Sequence, residues 1–228
     1  MKKFCVLTTG RTGSTSLMKE LEQYSDIAVP NKTVDCEDNE LLHPNRITVY
    51  MSEYSRLRDR PIKTNQQLVD AFYAHSQGYP YAGFKSMPRR HEPFEQFIAQ
   101  PNIQFIVLIR KDVLSTVASF ILATKTGNWR RTGGPPSRTW IFQECNKSQV
   151  DACLTAVQDN IKRLNQIPGA IKLTYEDLCN PAYENPNLNQ YFQRRIALSV
   201  QNPPTSGKSH VQNWEEFKHY ATPRLERV

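Results

Sequence analysis

The sequence lacks several features that would place it in a specialised class of protein. Its 228 residues contain no apolar run approaching the ~20 residues that a membrane-spanning helix needs. The apolar stretch at residues 4–7 is too short for a secretory signal, and no small-residue cleavage site follows it. Because 39% of the residues are apolar and 22% are charged, collagen-like, low-complexity and disordered chains are excluded. We therefore expect one globular domain over residues 1–228.

Cysteine is sparse and carries no pairing or metal-binding pattern. The five cysteines include no Cys-x-x-Cys pair, and no histidine stands near them at the spacing of a metal site. Three of them, Cys5, Cys145 and Cys153, lie in apolar or helical patterns, which is typical of buried free thiols. This usage favours a reducing compartment, so we expect a cytoplasmic protein without a metal.

Acidic residues are outnumbered by basic ones. The chain has 22 Asp and Glu against 29 Lys and Arg, a formal net charge of +7. A basic surplus indicates an anionic partner, which can be a nucleotide, a nucleic acid or a membrane surface. The basic residues are scattered along the chain rather than interleaved with aromatic residues on one face, which disfavours a nucleic-acid-binding module.

Short apolar runs alternate with helical periodicity along the chain. The patterns predict strands over residues 4–8, 81–87, 103–109 and 170–174, and helices from residue 14, over 64–76, from 113, over 147–166 and over 186–199. Strands that alternate with helices predict an α/β fold of three layers, in which a central, mostly parallel sheet is flanked by helices. The segments 26–62 and 127–138 have no strong periodicity and are predicted to be loops.

The first group of candidate residues follows the first strand, in the segment TTGRTGSTS (residues 8–16). A glycine-containing turn between a strand and a helix directs several backbone N–H groups at one point, where the helix dipole adds positive charge. Arg11 adds a full charge and the hydroxyl groups add donors, so the segment is a candidate anion site. The loop lacks the Gly-Lys-Ser/Thr ending of a Walker A motif. The alternative is an ordinary helix capped by one of these Ser or Thr side chains.

The second group follows the most apolar strand, where Arg110 and Lys111 precede a helix that carries Ser119. Ligands of open α/β sheets bind outside the carboxyl ends of the strands. Arg110 and the loop at residues 10–16 are both expected at that edge, where they can bind the two ends of one multiply charged ligand. The alternative is that Arg110 and Lys111 are solvated charges beside Asp112.

Four segments in order resemble the sulfotransferases that use 3′-phosphoadenosine 5′-phosphosulfate (PAPS). TTGRTGSTS resembles their 5′-phosphosulfate loop, and FIVLIRKDVLSTVASF (residues 105–120) is similar to their 3′-phosphate motif. IKLTYEDLCNP (residues 171–181) resembles a late strand with its Tyr-Glu-Asp-Leu element. ATKTGNW (residues 123–129) resembles the bacterial trehalose 2-sulfotransferase-like branch. The resemblance implies a P-loop-NTPase-like sulfotransferase fold.

When the functional residues of the family are matched to this sequence one by one, the resemblance implies a role for residues of both groups. Arg11 would contact the bridging and leaving phosphate oxygens, and Arg110 with Ser119 would bind the 3′-phosphate. The 5′-phosphosulfate would be bound by the backbone and hydroxyl groups of Thr12, Gly13, Ser14, Thr15 and Ser16. The family commonly separates its Arg and Ser by eight positions, a spacing that here joins Lys111, not Arg110, to Ser119. Either Arg110 or Lys111 therefore takes the Arg role.

Two further lysines lie outside these groups. Lys208, next to Gly207, is placed by the resemblance in a basic loop that closes over the 3′-phosphate. Lys85 ends a predicted strand, where a single lysine is usually solvated, so we do not assign it to the site.

Residues 34–44 contain several acids and a histidine, so we expect the catalytic base among them. The acceptor hydroxyl must lose a proton as it attacks sulfur, so a carboxylate or imidazole is needed near the sulfuryl group. Glu40 fits the position at which the trehalose-type enzymes have a catalytic Glu, and Glu37 and His43 are the alternatives. A solvated acidic loop is the competing interpretation.

The resemblance thus implies an enzyme that transfers a sulfuryl group from PAPS to a hydroxyl acceptor, a carbohydrate or glycolipid, without a metal. The segments 26–62 and 127–138 would face that acceptor. An alternative is a kinase-like transferase that uses ATP and Mg²⁺, although the loop lacks the Lys-Ser/Thr pair which that chemistry requires. A basic nucleic-acid-binding module is a third and weaker interpretation.

Overall fold

The computed structural model describes residues 1–34, 39–43, 45–91, 93–126, 142, 146–198 and 211–225. Its sheet has the order β2-β3-β1-β4-β5 and is parallel throughout. The strands are β1 (Lys2–Thr8), β2 (Ile27–Ala28), β3 (Tyr81–Ser86), β4 (Ile103–Ile109) and β5 (Ile171–Thr174). The predicted α/β fold with a central sheet between helical layers is confirmed.

The helices of the described ranges connect and cover these strands. They are α1 (Ser14–Glu22), α2 (Pro30–Thr33), α3 (Ile47–Arg58), α4 (Asn65–His75), α5 (Phe94–Ile98), α6 (Val113–Thr126), α7 (Lys147–Asn165), α8 (Tyr175–Leu178), α9 (Pro186–Phe192) and α10 (Trp214–Leu225). A 3₁₀ turn, Pro88–Arg90, lies between β3 and α5. Within the residues that the structure describes, no helix combines the length and apolar character needed to cross a membrane.

The side chains of β1 alternate between two cores because successive residues of a strand face opposite sides of the sheet. Phe4 and Val6 pack with the apolar residues of α1 and α9 on one face. Cys5 and Leu7 pack on the other face with α3, α4 and α5. A third cluster joins α6, α7 and α10. The loops that carry the candidate residues follow the carboxyl ends of the central strands β1 and β4.

Two secondary-structure predictions need correction. The segment 26–62 was predicted to be a loop, but it contains β2, α2 and the twelve-residue helix α3. Only Tyr50 and Tyr54 of α3 are buried, so its apolar stripe is too narrow to stand out in the sequence. The helix predicted over 186–199 ends at Phe192, because Gln193 adopts a left-handed conformation with φ 54°. The predicted loop at 127–138 lies outside the described residues.

The described cysteines are free thiols, as expected for Cys5 and Cys153, although Cys153 is not fully buried. Cys5 is buried, and Cys153 and Cys179 are half-buried. Burial raises the pKa of the Cys5 thiol well above its ordinary value and that of Cys153 to about 11, so both stay protonated at neutral pH. Cys145 lies outside the described residues.

Candidate functional site

The loop between β1 and α1 turns sharply because three of its residues have positive φ. These are Gly10 (φ 76°), Arg11 (φ 59°) and Gly13 (φ 77°). A Cβ atom built on Gly10 would lie 3.3 Å from Cε of Met87, so the loop also packs against the segment that follows β3. The first N–H groups of α1 have no partner within the helix, and they lie at the positive end of its dipole. The loop therefore has the backbone arrangement of an anion site.

The hydroxyl groups of residues 8–16 differ in their burial and in their hydrogen bonds. Thr12 is fully buried, and its hydroxyl forms a hydrogen bond with that of Thr8, which closes the loop on itself. Ser14 is buried, whereas Thr15 and Ser16 are half-buried. The N-cap of α1 is Gly13, without a side-chain cap. The alternative of an ordinary Ser or Thr cap is therefore wrong for this helix.

A side-chain hydrogen bond joins the two groups of candidate residues. Nε of Arg11 donates to Oγ of Ser119 at 2.9 Å. Arg11 belongs to the loop after β1, and Ser119 is buried in α6, which follows the neighbouring strand β4. The Arg11 loop thus contacts α6 at Ser119, in the middle of that helix, and both elements follow the carboxyl ends of the adjacent strands β1 and β4.

Arg110 and Lys111 differ in their surroundings. Arg110 is buried at the end of β4, with its guanidinium 4.9 Å from the centroid of the Tyr175 ring. Lys111 is exposed, and its backbone N–H and that of Asp112 donate to the carboxylate of Glu176 at 3.1 and 3.2 Å. Treating Arg110 as a solvated charge is therefore wrong. The Tyr-Glu pair after β5 orders the turn on which Arg110 lies.

Lys85 lies inside the candidate site, and its assignment to solvent was wrong. It is 6% exposed, and its Nζ donates to Oγ1 of Thr15 at 2.8 Å. Lys85 pairs with Val6 of the central strand, so its side chain lies on the sheet face that α1 covers. The signal in the sequence was its place at the end of a predicted strand, at the same sheet edge as the loop after β1.

Glu40 lies beside Lys85. The two form a parallel bridge, in which the backbone N–H of Lys85 donates to the carbonyl of Asn39 at 3.0 Å. Glu40 is 6% exposed, and its Oε1 is buried without a hydrogen-bond partner among the described residues. A solvated acidic loop is therefore the wrong description of this position. A buried carboxyl group at this sheet edge can accept a proton from a bound hydroxyl.

Three candidate residues remain, which are His43, Glu37 and Lys208. His43 is half-buried, and its Nδ1 accepts a hydrogen bond from the backbone N–H of Asn45 at 3.3 Å. Glu37 and Lys208 lie outside the described residues. In the part of the chain that the structure describes, no three His, Cys, Asp or Glu side chains come together as a metal site requires.

Comparisons with known proteins give a likeness of fold to a solved structure. No protein-family model matches the chain, and no curated protein matches it. Among solved structures, it is similar to one titled "Sulfotransferase Domain from the Curacin Biosynthetic Pathway". The sequence identity is 17%, the match covers 85% of this chain and 74% of that chain, and the TM-score is 0.48. A likeness of that extent leaves the function to be argued from the residues of this chain.

Proposed function

We propose that the protein transfers the sulfuryl group of PAPS to the hydroxyl group of an acceptor. The observation that carries this proposal is the hydrogen bond between Arg11 and Ser119. It joins a glycine-turn anion loop to α6, the helix that follows the buried Arg110 in the chain. A nucleotide with phosphate groups at its 5′ and 3′ positions needs two such positive regions at one sheet edge.

The donor nucleotide would be bound by residues from both loops. The first-turn N–H groups of α1 and the hydroxyls of Thr15 and Ser16 suit the 5′-phosphosulfate. Arg110, held against the Tyr175 ring, and Ser119 suit the 3′-phosphate. Lys111 is less suited to that role, because its side chain is exposed.

The reaction would be an in-line displacement at sulfur. A bond forms between the acceptor oxygen and sulfur, and the bond between sulfur and the 5′-phosphate oxygen breaks. The products are a sulfate ester and adenosine 3′,5′-bisphosphate. Arg11 and the helix N–H groups stabilise the charge that develops on the leaving phosphate. Because the protein forms no covalent bond in this scheme, its contribution is positioning and a preorganised positive potential.

Glu40 would take the proton of the acceptor hydroxyl. Its carboxylate is buried at the sheet edge, and Lys85 lies beside it with its ammonium on Thr15. In this arrangement Lys85 is close to the 5′ end of the donor and adds a second cation there. The resemblance to the trehalose 2-sulfotransferase-like branch suggests a carbohydrate or glycolipid as the acceptor.

Calorimetric titration tests the proposal directly. We expect adenosine 3′,5′-bisphosphate to bind without a metal, and Mg²⁺-ATP to bind much more weakly because it has no 3′-phosphate. Incubation with ³⁵S-labelled PAPS and a panel of carbohydrate hydroxyl acceptors then detects transfer. Preferential binding of Mg²⁺-ATP would favour the kinase-like alternative, and steeply salt-dependent binding of random DNA oligomers would favour a nucleic-acid-binding module.

A further inference from the structure

The 3₁₀ turn Pro88–Arg90 is fixed beside the loop that follows β1. Directly after the turn, His91 is 7% exposed, and its Nε2 forms a 2.9 Å hydrogen bond with Oγ of Ser86 at the end of β3. The His91 ring stacks on that of Phe97, with 3.5 Å between the ring centroids. Directly before the turn, Cε of Met87 lies 3.3 Å from a Cβ atom built on Gly10. The turn is therefore held from both sides at the edge where Lys85 and Glu40 lie.

Two consecutive arginines occupy this turn. Arg89 is exposed and Arg90 is half-buried. Nε of Arg90 is buried and has no hydrogen-bond partner among the described residues. Burial and the charge of Arg89 lower the pKa of Arg90, and the charge of Glu40 raises it. Glu40 bridges Lys85 near the end of β3, so it lies at the same sheet edge as the turn that follows this strand. A buried guanidinium N–H without an acceptor is costly, which suggests that a ligand supplies the acceptor.

This step rests on the proposed function and concerns the acceptor of the same reaction. We propose that the acceptor carries an oxyanion group, a carboxylate or a phosphate, which Arg90 binds with help from Arg89 while Glu40 receives the hydroxyl proton. A guanidinium group presents a planar set of donors that matches either oxyanion. Binding the anion would fix the distance between the acceptor hydroxyl and Glu40, and it would satisfy Nε of Arg90.

The test uses the full chain saturated with adenosine 3′,5′-bisphosphate, so that the two donor loops are already filled. Glucuronate, glucose 6-phosphate and uncharged glucose are titrated into it by calorimetry. We expect at least one of the charged sugars to bind more tightly than glucose. Arg90→Gln should weaken the binding of that sugar by about 10- to 100-fold, as expected for the loss of a hydrogen bond to a charged group. Arg90→Lys should restore part of the affinity.

Arg56→Gln is the matched control, because it removes one positive charge from an exposed position on α3. It should change the affinity for the charged sugars by no more than about twofold. The ratio of the affinities for glucuronate and glucose 6-phosphate shows which oxyanion the turn prefers. The melting temperature of each variant reports whether it is folded.

Three results would overturn this inference. The first is equal binding of glucose and both charged sugars by the nucleotide-loaded protein. The second is unchanged binding of the charged sugars by Arg90→Gln. The third is a large loss of bisphosphate affinity in Arg90→Gln, which would place the arginine with the donor. If the wild-type protein fails to bind the bisphosphate, the proposed function fails instead, and the same sugar titrations without nucleotide still test the arginine turn.

Discussion

Nε of Arg11 donates a hydrogen bond of 2.9 Å to Oγ of Ser119, although 108 positions of sequence separate the two residues. The bond links the loops that follow two adjacent parallel strands, β1 and β4. Because Ser119 is buried, the Arg11 side chain is held in place before any ligand arrives. A preorganised cation stabilises developing charge without the cost of reorientation during the reaction.

The first prediction concerns this pair. Arg11→Ala should lower the turnover of the proposed transfer by about 100-fold or more, the effect of removing one group that stabilises charge in the transition state. Ser119→Ala should have a smaller effect of the same kind. The two effects should be less than additive in the double variant, because each substitution removes the same hydrogen bond. Turnover is measured with ³⁵S-labelled PAPS.

Thr124→Ala provides a control on the same helix. Thr124 is exposed, and its hydroxyl donates to the carbonyl of Phe120 in the preceding turn, so turnover should stay near that of the wild-type protein. Wild-type turnover in a folded Arg11→Ala variant would contradict the assigned role.

The second prediction distinguishes Arg110 from Lys111. Arg110→Ala should weaken the binding of adenosine 3′,5′-bisphosphate by about 10- to 100-fold, because it removes a charged donor. It should hardly affect adenosine 5′-monophosphate, which has no 3′-phosphate. Lys111→Ala should change either affinity by no more than about twofold, because its side chain is exposed. Calorimetry measures all four constants. Equal losses for both nucleotides in Arg110→Ala would exclude a 3′-phosphate role.

Strong local patterns made part of the fold predictable. β4 was predicted over its observed range because seven mostly apolar residues precede a change to helical spacing. The helix α4 was predicted from Thr64, whose side chain accepts a hydrogen bond from the N–H of Gln67 at 3.1 Å. The helix α3 was missed because its buried face consists of two tyrosines, which give little periodic signal.

The candidate site was less predictable, because its geometry depends on contacts between distant strands. Arg11 and Arg110 stand next to clear strand ends, and the sequence placed both at one edge. Lys85 has the same kind of position, but its burial depends on the pairing of β3 with β1 and on Thr15. Glu40 was reached only through the family resemblance. Its bridge to Lys85 forms after a bend at Asn39 with φ 53°, which no local pattern indicates.

The third prediction tests Glu40 as the base. Glu40→Gln keeps the size of the side chain but removes its capacity to accept a proton. Turnover should fall by about 100- to 10,000-fold, the usual contribution of a general base. The affinity for adenosine 3′,5′-bisphosphate should remain near the wild-type value, because the donor loops are unchanged. A parallel loss of nucleotide affinity and turnover, or no change in either, would place the base elsewhere.

The fourth prediction concerns Lys85. Lys85→Met preserves most of the buried chain and removes the ammonium that contacts Thr15. We expect turnover to fall by about tenfold or more, the range for losing a hydrogen bond made by a charged group. Thr15→Val keeps the lysine but removes the hydroxyl, so it separates the charge from the hydrogen bond. Thermal melting monitored by circular dichroism shows whether each variant is folded. A folded Lys85→Met variant with wild-type turnover would limit the lysine to a structural role.

The fifth prediction follows from the burial of His91. Burial lowers its pKa from 6.5 to about 3, so the folded protein holds the ring neutral while the unfolded chain takes up a proton near pH 6.5. The contribution of His91 to stability is therefore complete above pH 6.5 and is lost as the pH falls from there towards 3. Between pH 7 and pH 5 the free energy of unfolding should drop by about 2 kcal/mol from this group alone.

His91→Gln removes the titrating ring and retains a polar group that can reach Ser86. The variant should be less stable than the wild-type protein at pH 7, because the stacking on Phe97 is lost. Between pH 7 and pH 5 the variant should lose about 2 kcal/mol less stability than the wild-type protein. Urea unfolding at the two pH values measures both differences, and carboxylates contribute equally to the two proteins. Equal losses of stability in the two proteins between pH 7 and pH 5 would mean that the His91 ring is protonated in the folded protein at pH 5. Burial would then not keep this ring neutral.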